Sequence, residues 1–224
     1  MHTPSSAHPL LQQTLGQIAL AIPGATALLR QHKLDFCCQG ERTLALACAE
    51  RTHELPALLE QLEALQRQSA PLAPCSDPAQ LIDRILERYH DTHRQQLPEL
   101  ARMARRVEAV HQTHPAVPVG LADFLEQMQA ELENHMAKEE QILFPLLRRS
   151  GQAPIRGPIA VMRHEHLEHG ARLERLAELT CNHTPPPGAC TTWRALYAGT
   201  ERLVDDLMHH IHLENNVLFP MFER

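Results

Sequence analysis

His135-Met136-Ala137-Lys138-Glu139-Glu140-Gln141-Ile142-Leu143-Phe144-Pro145 is written a second time as His210-Ile211-His212-Leu213-Glu214-Asn215-Asn216-Val217-Leu218-Phe219-Pro220. Both copies pair a histidine with a glutamate four positions later and close on Leu-Phe-Pro. On a helix, residues four apart share a face and lie about 6 Å apart along the axis. Each copy therefore offers an imidazole and a carboxylate in one direction. Two copies face to face make a cage of nitrogen and oxygen donors suited to iron, manganese or zinc.

The polar residues fall where the core should be. His135 and Glu139 continue the apolar stripe of Leu121, Phe124/Leu125, Met128 and Leu132; His210 and Glu214 continue that of Leu196/Tyr197, Leu203/Val204 and Leu207. An inward carboxylate without a partner costs several kcal/mol, and a facing pair costs more. Two dications remove that cost. His90 precedes His135 by 45 positions and His166 precedes His210 by 44, so an up-down-up-down bundle brings the four imidazoles to similar depth, one per helix. A single histidine on an apolar face is more often a hydrogen-bonded core residue. The duplicated pair with matched upstream histidines reads instead as a two-metal site.

His111 is ambiguous, being 21 residues past His90, or about 31 Å along a straight helix. If Pro98 turns the chain back, His111 reaches the site; if Pro98 only kinks the helix, His111 caps the bundle end. Glu165 and Glu131 are candidates for proton handling, and are equally well read as solvated helix acids. His164, His169, His209 and His212 fall off the ligand stripe and are expected at the surface.

No stretch alternates with period two over a strand's length, so the fold class is all-α. Short helices from Thr14 to about Gln68 turn around Leu34-Asp35-Phe36-Cys37-Cys38-Gln39-Gly40. The Pro-rich Ser69-Ala-Pro-Leu-Ala-Pro-Cys-Ser-Asp77 reads as a linker. The division is residues 1–70 as a small helical domain carrying the vicinal cysteines, 71–78 as linker, and 79–224 as an antiparallel four-helix bundle.

The formal charge of −6 over 224 residues, with no concentrated basic run, gives no reason to expect nucleic acid. No apolar run approaches the roughly 20 residues that span a bilayer, and the first residues lack a signal-peptide pattern. A cytoplasmic protein, with its six cysteines as free thiols, is the expectation.

Taken together, the His…His-x-x-x-Glu…His…His-x-x-x-Glu series resembles the hemerythrin-like cation-binding domain. With the Asp35-Phe36-Cys37-Cys38-Gln39-Gly40 unit, Arg88-Tyr89-His90-Asp91 and Leu97-Pro98-Glu99-Leu100, the whole chain resembles the iron-sulfur cluster repair di-iron proteins. The resemblance implies a hemerythrin-like bundle preceded by a small helical domain. Its metal ligands fall on His90, His111, His135, Glu139, His166, His210 and Glu214, with Glu139 and Glu214 bridging. It implies two non-haem irons, oxo- and carboxylate-bridged, that meet NO or O2. The expected work is restoring iron-sulfur proteins damaged by nitrosative or oxidative stress, through NO reduction or iron donation. Cys37 and Cys38 would receive iron or a nitrosyl group as thiolates, and Glu165 would handle protons. A homodimer packed through the small domain is compatible with this. The family's Cys-Cys-Gly-Gly reads Cys-Cys-Gln-Gly here, which bears on the turn after Cys38. The competing readings are an O2-binding or sensing module without turnover, and a zinc hydrolase.

Overall fold

A computed structural model describes residues 8–49, 54–68, 77–149 and 155–223, and no strand occurs among them. The first unit holds α1 (Pro9–Gln12), α2 (Leu15–Ala21), α3 (Ala25–Gln31), α4 (Leu44–Ala47) and α5 (Leu55–Gln68). Thr14 opens α2 with a reciprocal cap: its hydroxyl accepts from Gln17 N while the Gln17 side chain accepts from Thr14 N. Most of the linker expected at 71–78 lies outside the described residues.

Four helical rods follow. Asp77 caps Pro78 at the start of α6 (Pro78–Ile85), which passes through a π turn at Leu86–His90 into α7 (Asp91–Val110). The second rod is α8 (Leu121–Lys138), a π turn at Glu139–Leu143, and α9 (Phe144–Arg149). The third is α10 (Arg156–Leu179). The fourth, α11 (Thr191–Leu213), ends in a π turn at Glu214–Leu218 and a 3₁₀ turn at Phe219–Met221. α7 packs on α8 and α11, and α10 packs on the same two, so α7 and α10 are diagonal.

Pro98 sits inside α7, which runs through it unbroken. The flanking Leu97, Leu100 and Ala101 are buried, and their packing holds the helix despite the missing N–H. His111 therefore lies beyond the far end of α7.

The apolar residues form two clusters. The larger joins the first unit to the bundle, running from Leu10, Ile18, Leu29, Phe36 and Leu62 to Leu97, Leu132, Leu173, Leu207 and Ile211. The smaller collects Leu81, Ile85, Leu143, Phe144, Ile159, Met162, Leu218, Phe219 and Phe222. Between them lies a polar layer.

Candidate metal centre

The polar layer is where the π turns begin and end. His90 closes the first, Glu139 opens the second and Glu214 opens the third. In each Leu-Phe-Pro box the proline has no N–H for the carbonyl four residues back, Gln141 or Asn216, and its ring crowds that carbonyl. The turn widens there, and π turns are frequent at functional positions.

His90, Glu139, His210 and Glu214 bring donor atoms within 4.8 Å of one another, and so do His135, Glu139, His166 and Glu214. Both glutamates belong to both sets, as bridging carboxylates would. All six residues are buried. The ring nitrogens approach the carboxylates at 3.0 Å (His166 Nε2 to Glu214), 3.3 Å (His90 to Glu139) and 3.4 Å (His135 to Glu139 and His210 to Glu214). Yet no carboxylate oxygen of Glu139 or Glu214 has an aligned hydrogen bond. Groups so close and so poorly aligned converge on points between them rather than on each other.

The histidine tautomers carry the fit further. His135 Nδ1 donates to Glu165 Oε2 at 2.9 Å, and His166 Nδ1 donates to Asn215 Oδ1 at 2.8 Å. Asn215 Nδ2 donates to Cys37 O at 3.0 Å, which fixes its oxygen as the acceptor toward His166. Both imidazoles then present lone pairs at Nε2, and these face each other 3.2 Å apart. Two lone pairs at that distance repel unless a cation lies among them. On the other side His90 Nδ1 donates to Glu140 Oε1 at 2.7 Å, and its Nε2 is 3.2 Å from His210 Nε2. His210 Nδ1 has no hydrogen-bond partner; its ring stacks on Tyr89 with centroids 5.7 Å apart.

Electrostatics agree. Burial, then the charge of Glu214, raises the Glu139 carboxyl well above its ordinary range, while His210 and His166 hold Glu214 below it against the pull of burial. Burial, and then its neighbour His210, pushes His90 down to about 4, keeping the ring neutral and able to ligate. The residues present fit a pair of transition-metal ions, and iron suits mixed imidazole and carboxylate donors.

Six of the seven expected ligands are thus brought together, and His111 is not among them. Its Nε2 is 3.3 Å from Cys190 Sγ and its ring packs 5.1 Å from Trp193, at the end of α7 that Pro98 fails to turn back. Glu165 lies against His135, pairing through its other oxygen with Lys138 Nζ at 2.7 Å. Glu131 is an exposed partner of Arg172. Two histidines expected at the surface are buried: His169, 4.8 Å ring to ring from His135, and His212, edge-on to Phe36 at 5.4 Å. His169 follows His166 by three residues and so shares its face; His212 faces the other way, where the first unit covers it. His209 is half-buried with Nε2 2.8 Å from Thr26 Oγ1, and His164 is exposed. The sequence reading missed Glu140 and Asn215. Their signal was position, since each directly follows a box glutamate.

Cys37 and Cys38 lie beside this layer. Asp35 Oδ1 accepts from the backbone N–H of Cys38 at 2.8 Å and of Cys37 at 3.2 Å, forming the turn. The sulfurs are 3.7 Å apart, Cys37 Sγ donates to Asp35 Oδ1 at 3.2 Å, and Cys38 Sγ donates to the carbonyl of His166 at 3.3 Å. Asp35, Cys37 and Cys38 form a third group of clustered donors. The hydrogen bond from Cys38, burial and the Asp35 charge push the Cys37 thiol well up, so in this arrangement it is a neutral thiol and not a thiolate. Gln39 is exposed, its side chain accepting from Arg42, so the departure from Cys-Cys-Gly-Gly is absorbed at the surface. Gly40 is the constrained position, because a Cβ there would lie 2.3 Å from Asn216 Oδ1 and 2.7 Å from Phe36 O. Cys37, Cys38, Cys181 and Cys190 form no disulfide.

Two family models match separate stretches of the chain. The Hemerythrin HHE cation binding domain matches residues 81–222, and ScdA_N, a domain of unknown function (DUF542), matches residues 11–66. The chain is 49% identical over 215 residues to the iron-sulfur cluster repair protein YtfE of Escherichia coli O1:K1, covering 93% of this chain and 95% of that protein. The proteins of the same name from Citrobacter koseri and Escherichia fergusonii are 48% and 49% identical, with the same coverage. Among the described residues no helix is long and apolar enough to cross a membrane.

Proposed function

The chain belongs to the iron-sulfur cluster repair family of hemerythrin HHE proteins, and on that footing we propose that it is a cytoplasmic di-iron protein that restores damaged iron-sulfur proteins by processing NO or donating iron. The observation that carries this reading is one pair of carboxylates shared by two ligand sets, with a vicinal thiol pair docked on the backbone of one ligand. His90 and His210 would hold one iron, His135 and His166 the other, with Glu139 and Glu214 bridging. Bound as ferrous ions, the pair supplies the two electrons that reduce two NO, with two protons, to N2O and water, and open positions for a diatomic ligand. The protein's own part is orientation. Glu140, Glu165 and Asn215 keep protons on the Nδ1 atoms, so that each Nε2 faces inward as a lone pair. Lys138 pairs with one oxygen of Glu165 and holds the other toward His135, which makes positioning its first role, with proton handling secondary to it. The apolar clusters on either side of the layer keep bulk water from the carboxylates.

Asp35, Cys37 and Cys38 are the natural receivers of departing iron. Cys37 and Cys38 would each lose a proton on accepting it, and Asp35 adds a hard oxygen to two soft sulfurs. An O2-binding module leaves this docked turn without a role.

The test is elemental analysis followed by anaerobic assay. Two irons per chain are expected, with N2O formed on adding NO to the reduced protein, or iron passed to a cluster-free [4Fe-4S] protein. Cys37→Ser/Cys38→Ser should slow the transfer while leaving iron content intact. Full iron occupancy with neither N2O nor transfer would overturn the proposal, and bound zinc in a colourless protein would overturn its redox chemistry.

A further inference from the structure

One turn beyond the ligand layer the bundle carries a second polar layer that the metal site does not use. His93 follows His90 by three residues on α7, and His169 follows His166 by three on α10, each about 4.5 Å further along its axis. α8 and α11 run the opposite way, so the residues at this depth are Leu132, three before His135, and Leu207, three before His210. The layer is two imidazoles on diagonally opposite helices and two leucines on the other pair. All four are buried, the most exposed being His169 at 4%.

Each imidazole lies against a ligand of the layer above. The His93 ring is 5.4 Å from His210, and the His169 ring is 4.8 Å from His135. Both nitrogens of both rings lack any hydrogen-bond partner. A neutral imidazole carries one donor and one acceptor, and neither ring has anything to meet them. Buried polar groups in native proteins are satisfied by protein, water or ligand, and leucine and histidine side chains supply the first of these to neither ring.

The layer also has a way in. A cleft of about 500 Å³ between α8 and α10 is lined by Lys138, Glu165, Arg172 and His169. His169 is at once part of this cleft and part of the buried layer.

We propose that His93 and His169 line the chamber that seats the exogenous small ligand of the metal pair, a molecule of two or three heavy atoms, with His169 at the entrance and His93 at the inner wall. The proposal rests on the di-metal reading above. The two N–H groups donate to the free end of the ligand, and Leu132 and Leu207 keep its flanks dry.

The probe is azide, titrated optically into iron-loaded, oxidised protein, with iron counted in every sample. His93→Leu and His169→Leu are each expected to retain two irons per chain and to weaken azide binding about tenfold, as loss of one hydrogen bond to a charged ligand does. His169→Asn, which keeps a donor in a smaller side chain, is expected to stay within about threefold of the wild type, and serves where the leucine variant fails to fold. Variants with two irons and azide affinity within about twofold of wild type would overturn the chamber while leaving the metal site standing. Loss of iron from either leucine variant would overturn it differently, by making that histidine a ligand. Wild-type protein that takes up no iron would overturn both this proposal and the di-metal reading.

Discussion

Asn215 joins the two halves of the molecule through one side chain, and its replacement by alanine is the most informative substitution the structure offers. Its Oδ1 accepts from His166 Nδ1 at 2.8 Å and its Nδ2 donates to Cys37 O at 3.0 Å, both in the interior. Asn215→Ala removes both bonds, with unequal consequences. The Cys37 carbonyl keeps a 3.3 Å bond from Asn216 Nδ2, so it loses about 1 kcal/mol at most. His166 Nδ1 is left with nothing in a fully buried ring, a cost of roughly 1–3 kcal/mol. The sum is a destabilisation of roughly 1–4 kcal/mol in the metal-free protein. Freed from its tautomer, His166 should also hold its metal about 10–100-fold less well, and only that metal, since His90 and His210 do not touch Asn215. Asn215→Asp separates the effects: an acceptor for His166 remains, but the carboxylate cannot donate to Cys37. Chelator competition, reading the two metals in turn, and the alkylation rate of Cys38 report the two ends. Asn215→Ala should weaken one metal, and Asn215→Asp should chiefly loosen the cysteine turn. The reasoning fails if both metals in Asn215→Ala hold within about threefold of wild type, or if both fall together.

Four other outcomes follow from named contacts. Glu139→Leu and Glu214→Leu should each lose at least one metal per chain, because each carboxylate belongs to both donor sets, and should raise the melting temperature of the metal-free protein by removing a buried carboxyl that no hydrogen bond satisfies; full metal content, or a lower metal-free Tm, contradicts this. His111→Ala should keep every metal, since His111 touches Cys190 and Trp193 instead; lost metal would restore it as a ligand. With chelator present, stability should be insensitive to pH above about 6.5 and decline as pH falls toward 4, checked by denaturant melts across that window. Burial lowers His212 from 6.5 to about 4, so the unfolded chain takes up the proton first and the folded state loses its advantage only on acidification; a flat profile would refute it. Iodoacetamide should modify Cys38, which is half-buried, before Cys37, which is 2% exposed and held as a thiol by Asp35; mass mapping that finds Cys37 first would contradict the turn geometry.

What could be read from the sequence was whatever repeats along a helix. The depth match of His90, His135, His166 and His210 needs only a regular rise and four antiparallel rods, both of which the stripes specify. Whatever depends on a local interruption or on distant packing was hidden. Pro98 looks like a break but is carried by buried neighbours, and this displaces His111 from the site. Each π turn inserts a residue too locally for the stripe to register it, and only Pro145 and Pro220 hint at the second and third. His212 points away from the ligand stripe, and periodicity alone cannot know that Phe36 covers that face. His169 was legible, because a step of three from His166 keeps the same face, and only the assumption of a single polar layer sent it to the surface.

The duplication explains both what the two halves share and where they part. His93 and His169 occupy equivalent steps after His90 and His166. Tyr89 and Glu165 occupy equivalent steps before them, one stacking on His210 and the other accepting from His135. Glu140 and Asn215 follow the two box glutamates and hold His90 and His166. The difference between these last two is chemical. Glu140 faces Arg94, a cation, and a carboxylate serves there. Asn215 and Asn216 face the carbonyls of Phe36 and Cys37, where a carboxylate would meet acceptors and an amide can donate. Asn216 further requires the glycines at 16 and 40, since a Cβ at either would come within 3 Å of its oxygen. Glu-Asn-Asn in the second box, where the first reads Glu-Glu-Gln, is thus the change that turns a repeated metal half-site into a dock for the cysteine turn. Cys38 Sγ meets the carbonyl of His166, so a metal held by the thiols would sit on the His135 and His166 side of the layer.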